Sequence, residues 1–125
     1  VSYEKLGDLD RSLDAVRARG LYQQSLEIRK KLAALEPDNT TFLRDLSVSY
    51  LKLGLVSLAE AHEEGRQDLV ESIKLAERRV ILDPGNPDGR QLLGAYFGLF
   101  DQMAEGLGED FMGFVRKRQE YWSGR

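Results

Sequence analysis

Apolar residues recur at helical spacing along nearly the whole chain. From residue 42 onward they stand at Phe42, Leu43, Leu46, Tyr50, Leu53, Leu58 and Ala61, with Val48, Leu51, Leu55 and Val56 widening the stripe. Asn39, Thr40 and Thr41 offer cap oxygens in front of that helix. A second helix is predicted to follow with Leu69, Ile73, Ala76, Val80 and Ile81, and a counterpart nearer the N-terminus carries Val16, Tyr22, Leu26, Arg29 and Ala33. A third set opens with Asn86 as cap and Pro87 as first helical residue. It breaks at Gly106-Leu107-Gly108 and ends in a short amphipathic helix with Phe111, Phe114, Val115 and Trp122 turned inward. Leucines outnumber Val, Ile and Thr together, which favours helix over strand. All three prolines fall in short Asp/Asn-containing stretches, Glu36–Thr40 and Asp83–Asp88, that end one helix and cap the next. The turns within the helix pairs are expected near Leu13–Ala15 and near Ala61–Gly65. The pattern predicts an all-α chain of six helices in three antiparallel pairs.

The pairs are related by an internal repeat. Val1-Ser2-Tyr3-Glu4-Lys5-Leu6-Gly7 returns as Val48-Ser49-Tyr50-Leu51-Lys52-Leu53-Gly54, an offset of 47. The same offset carries Ser25-Leu26 onto Ser72-Ile73, Leu35-Glu36-Pro37 onto Leu82-Asp83-Pro84, and Asn39 onto Asn86. A weaker third copy sets Ala95-Tyr96-Phe97-Gly98-Leu99 over Ser49-Tyr50-Leu51-Lys52-Leu53 at an offset of 46.

Tyr3, Leu6 and Gly7, then Tyr50, Leu53 and Gly54, followed by Ser25 and Ser72 and closed by Pro37 and Pro84, resemble the tetratricopeptide repeat (TPR) family. The resemblance implies a right-handed superhelical solenoid of helical hairpins, one domain over residues 1–125, with units of about 1–38, 39–85 and 86–122. It implies that Gly7 and Gly54 let the partner helix approach closely while large neighbours fill the space between pairs. The units are 46–47 residues long, against about 34 in that family. In the third, Phe100 stands where glycine is expected, which predicts a wider packing angle or a degenerate cap. Unit one starts at its motif and lacks the residues that precede it in unit two, so the chain reads as a fragment of a longer array whose first helix exposes a face for another repeat or for self-association.

Composition narrows the function. Hydrophobic residues make up 42% and charged residues 31%, with a formal net charge of −3, which gives no global attraction to nucleic acid or an anionic membrane. Cysteine is absent, which removes disulfides, thiolate metal sites and cysteine nucleophiles, and no apolar run approaches the roughly 18 residues of a membrane span. No signal peptide stands out, so a cytoplasmic setting is expected. The single histidine, His62, lies among Glu60, Glu63 and Glu64 and reads as a solvated turn rather than a metal site. Asp101, Glu105, Glu109 and Asp110 cluster around the glycine break, where acids suit a helix start. The basic runs Arg29-Lys30-Lys31, Arg78-Arg79 and Arg116-Lys117-Arg118 lie late in second helices and lack the aromatic interleaving of nucleic-acid binders. Asn39-Thr40-Thr41 fits a glycosylation tripeptide but reads as a cap. Nothing combines a nucleophile, a positioned base and an oxyanion donor, so neither an enzyme nor a cofactor is expected.

The resemblance places ligand-facing positions on the first helices, along a concave groove. On this sequence they are Glu4, Lys5, Asp8 and Arg11 in unit one, Leu51, Lys52, Leu55 and Leu58 in unit two, and Phe97 and Asp101 in unit three. Glu4, Leu51 and Leu55 stand where a carboxylate clamp would need donors, so the expected partner is an apolar peptide or an amphipathic helix of another protein, with Lys52 and Asp101 at the rim. The alternative is an architectural segment whose leucines are covered by its own last helix, by a neighbouring repeat or by a second copy.

Overall fold

The computed structural model describes the backbone of residues 3–125 and the side chains from residue 14 onward. Among the described residues the chain forms six helices and no strand: α1 (Tyr3–Leu35), α2 (Thr40–Ala59), α3 (Gly65–Leu82), α4 (Pro87–Gln102), α5 (Ala104–Leu107) and α6 (Glu109–Ser123). The prolines act as punctuation. Asn39 caps α2, its Oδ1 accepting from the Phe42 amide at 3.0 Å, and Asn86 caps α4 by accepting from the Asp88 amide at 3.0 Å, with Pro87 directly behind it.

The α2–α3 turn falls where the pattern predicts it, although no glycine closes the helix. Instead Ala61 adopts φ 61°, its amide donating to the Leu58 carbonyl at 3.0 Å while the His62 amide donates to Ser57 at 2.8 Å. These two bonds are the Schellman pair, and they hold an alanine in a left-handed conformation that costs an L-residue about 1–2 kcal/mol.

Past this turn the two helices meet backbone to backbone at two glycines. A Cβ on Gly54 would lie 2.8 Å from the Gly65 carbonyl oxygen, and one on Gly65 would lie 2.6 Å from that of Gly54. Ser72 is fully buried on the same interface, as expected for the close-packing position. Gly7 lies outside the residues whose side chains are described.

Unit one departs from expectation. No turn interrupts residues 13–15; α1 runs unbroken to Leu35, so its two predicted helices are one. The offset of 47 explains why. Ala18 stands where unit two has Gly65, and a methyl at that crossing would strike a backbone oxygen. Residues 11–19 also contain neither glycine nor proline to stop a helix. The count of six is made up instead by an extra break at Met103, which separates the four-residue α5 from α4.

Packing proceeds mainly between sequence neighbours: α1 on α2, α2 on α3, α3 on α4, and α6 on both α4 and α5. A small cluster joins Leu26 and Ala33 of α1 to Leu46 and Leu53 of α2, with Tyr22, Tyr50 and Leu75 against it. The larger cluster joins Leu69, Ile73 and Ala76 of α3 to Leu93, Tyr96, Phe97 and Phe100 of α4 and to Phe111, Met112 and Val115 of α6. Phe100, fully buried, lies edge-on to Phe111 at 5.4 Å between centroids, so an aromatic ring occupies the α4–α6 space where α2 and α3 touch directly. Three helices are further tied by a buried polar chain. Ser47 Oγ lies 2.7 Å from the Ser72 carbonyl, to which it can only donate, so the Tyr96 hydroxyl 2.9 Å away donates to Ser47. Burial raises the Tyr96 pKa above its ordinary value, against the weaker opposing effect of the Ser47 hydrogen bond, which keeps that donor protonated.

Because neither backbone at the crossing can yield, Gly54→Ala is expected to lower stability in urea unfolding by about 2 kcal/mol. Gly20→Ala, mid-helix with open space around its Cβ position, is expected to raise it by about 0.5–1 kcal/mol.

Candidate interaction surfaces

The expected groove is only partly assembled. Leu51, Leu55 and Leu58 share one side of α2, half-buried against the larger cluster. Leu55 and Leu58 line an open depression of about 220 Å³ with Ala59, Met103, Gly106 and Leu107, so α5 forms its far wall. Arg66, at the start of α3, secures that wall by donating from Nε to the Leu107 carbonyl at 2.8 Å and from Nη2 to that of Gly106 at 3.0 Å. Phe97 is not part of this surface. It is buried, at 7% exposure, and lines a separate cavity between α4 and α6. Lys52 lies on the opposite flank of α2, in a niche with Tyr22, Ser25 and Arg29 of α1, and Asp101 accepts from Gln119 Nε2 of α6 at 2.9 Å. Neither charge lines the leucine depression. Glu4, Lys5, Asp8 and Arg11 lie outside the residues whose side chains are described.

A second apolar surface runs along α1. Leu21, Ile28, Leu32 and Leu35 recur at steps of seven, four and three, which sets them on one stripe of a helix. They are 65%, 61%, 39% and 79% exposed. The first three border an open groove of about 460 Å³ shared with Gln24, Ser25, Arg29 and, from α2, Asp45. Arg29 is fixed there, donating from Nε to Ser25 Oγ at 3.1 Å and from Nη1 to the Asp45 carbonyl at 3.3 Å. The periodicity that signals this stripe is as legible as that of the buried face. What hid it is that α1 carries two adjacent apolar faces, and only the one with Tyr22, Leu26 and Ala33 is covered. Val16, expected in the buried stripe, is exposed.

Several charged groups hold one helix to another. Arg19 of α1 lies 3.0 Å from His62 Nε2 and donates to Glu64 at 3.2 Å, which ties α1 to the α2–α3 turn. Among the described residues no group of three or more His, Asp or Glu side chains is placed to hold a metal ion. Glu109 and Asp110 sit in the first turn of α6. Arg79 is buried and donates to Asp88 at 2.6 Å, linking α3 to the first turn of α4. Glu77, also buried, accepts from Arg118 Nε and from Trp122 Nε1, both at 2.6 Å, and so clamps α6 onto α3.

Compared with family models, with curated proteins and with solved structures, the chain matches none. No described helix is long and apolar enough to cross a membrane.

Two expectations follow from the ionic contacts. Glu77→Ala leaves the Trp122 N–H without its acceptor and is expected to destabilise the fold by about 2–3 kcal/mol, with a red-shifted emission from Trp122 in the native state. The hydrogen bond from Arg79, and then its positive charge, hold the Asp88 carboxyl below its ordinary range. A depressed native pKa stabilises the fold above the unfolded value of about 3.9 and is lost as pH falls through the native one. The melting temperature is therefore expected to fall on acidification below about pH 4, less steeply in Asp88→Asn.

Proposed function

We propose that the chain is a protein-interaction module built as a TPR-like solenoid, taking an apolar helix or peptide of a partner on its uncovered leucine surfaces. The neighbour-to-neighbour packing supports the repeat reading, as do the repeat tyrosines, with Tyr50 packed at the α1–α2 cluster and Tyr96 on the chain of hydrogen bonds joining α2, α3 and α4. The observation that carries the function is the stripe on α1. Four large aliphatic side chains, all on one face, lie in water with an open groove beside them, and stripes of this kind mark interaction sites. The inner depression at Leu55 and Leu58 is the smaller of the two surfaces and extends the contact toward α5.

A second reading has its own support. The stripe belongs to the N-terminal helix, whose counterpart by the repeat, α3, is packed between α2 and α4. An architectural role, with the stripe covered by another repeat or a second copy, accounts for it equally well.

Selection of amphipathic helical peptides against the whole chain, with sedimentation of the chain alone, separates the two. The interaction reading expects a monomer and enriched peptides whose affinity falls about tenfold or more in Ile28→Asp, at unchanged thermal stability. A dimer that Ile28→Asp dissociates, with no peptide enriched, replaces it with the architectural reading. Loss of binding in Leu55→Asp but not in Ile28→Asp moves the site to the inner curve.

A further inference from the structure

The fissure between α4 and α6 belongs to neither of these surfaces. Its floor is apolar, formed by Leu93 and Phe97, which are 2% and 7% exposed. Gly94 lines it with no side chain, and a Cβ there would meet nothing within 4 Å. One wall is the indole of Trp122, and that ring is not free to swing in and fill the space, since its Nε1 is held by Glu77 at 2.6 Å. The open slot, of about 290 Å³, accommodates one aryl or branched alkyl group.

The polar groups stand at the rim. Arg90 lines the fissure with its guanidinium carbon 5.7 Å from the centre of the Trp122 ring. Arginines 19, 66, 79 and 118 are each paired with a carboxylate, whereas Arg90 has no such partner among the described residues. Gln119, on the other side, commits its Nε2 to Asp101. An apolar slot with an uncompensated guanidinium at its edge selects for a molecule with an oily body and one negative end. The body displaces water from Leu93, Phe97 and the indole face, and the anion takes charge-assisted hydrogen bonds from Arg90.

We propose that this fissure binds a small hydrophobic monocarboxylate. The site is distinct from the α1 stripe and stands or falls separately from the interaction reading. A ligand of this size in so open a slot has an expected Kd of about 0.1–1 mM.

Trp122 is the only tryptophan in the chain, so its emission reports on the wall directly. The test is titration of the whole chain with 3-phenylpropionate, read by that emission and independently by saturation-transfer NMR on the ligand. Saturable binding is expected, with 3-phenylpropanol bound about tenfold more weakly for want of the anion. Arg90→Gln is expected to weaken the acid by about tenfold and leave the alcohol unchanged. Gly94→Leu fills the slot and is expected to abolish binding of both while the circular dichroism of the fold is kept. The proposal is overturned by an absence of saturation in both readouts up to about 10 mM, by an alcohol that binds as well as the acid, or by Arg90→Gln binding like the parent chain.

Discussion

The direct contact of two helix backbones at Gly54 and Gly65 sets the position of nearly everything else. With no side chain between them, α2 and α3 lie close enough for Ser47 to reach the Ser72 carbonyl, and that hydroxyl in turn receives the Tyr96 proton. A helix pair held apart by even one methyl would leave this chain of donors without partners, and buried polar groups without partners are costly. The position of α4 thus depends on a crossing it does not touch. Arg79 and Asp88 then fix the start of α4, and Glu77 fixes the end of α6, both from the α3 side. Helix α3 is the strut on which the C-terminal half hangs.

Much of this was legible in the sequence because the signals are local. Asn39, Asn86 and Pro87 act within a turn of where they stand, and the family resemblance implied the close approach at Gly54. The turn expected in α1 is absent because the repeat keeps one glycine of the crossing and not its partner. Gly65 read as a turn residue, and only the structure shows that it is half of a packing contact whose other copy, Ala18, cannot serve. The break at Met103 has no comparable signal: the flanking sequence continues a helical pattern, and the residue there is neither glycine nor proline.

The placement of Phe97 teaches a different lesson. Leu93, Tyr96, Phe97 and Phe100 form one stripe by simple helical periodicity, and all four are in the core. Phe97 lies on that buried stripe, whereas the resemblance placed it on the groove. The α4–α6 fissure was invisible for a further reason. Its lining brings together Gly94 and an indole that Glu77, 45 residues away in the chain, holds in place, and no pattern along the chain records such a conjunction.

Helices α1 and α6 are not alike in what they leave uncovered. Phe100, Phe111 and the Glu77 clamp pack α6 onto α3 and α4, while α1 presents an aliphatic stripe to water. The symmetry of a contact depends on which faces meet. A stack that is adhesive at both ends propagates head to tail into filaments, but one adhesive end meets its own kind across a two-fold axis and stops. Any homotypic assembly made through α1 alone is therefore isologous and closed at two subunits.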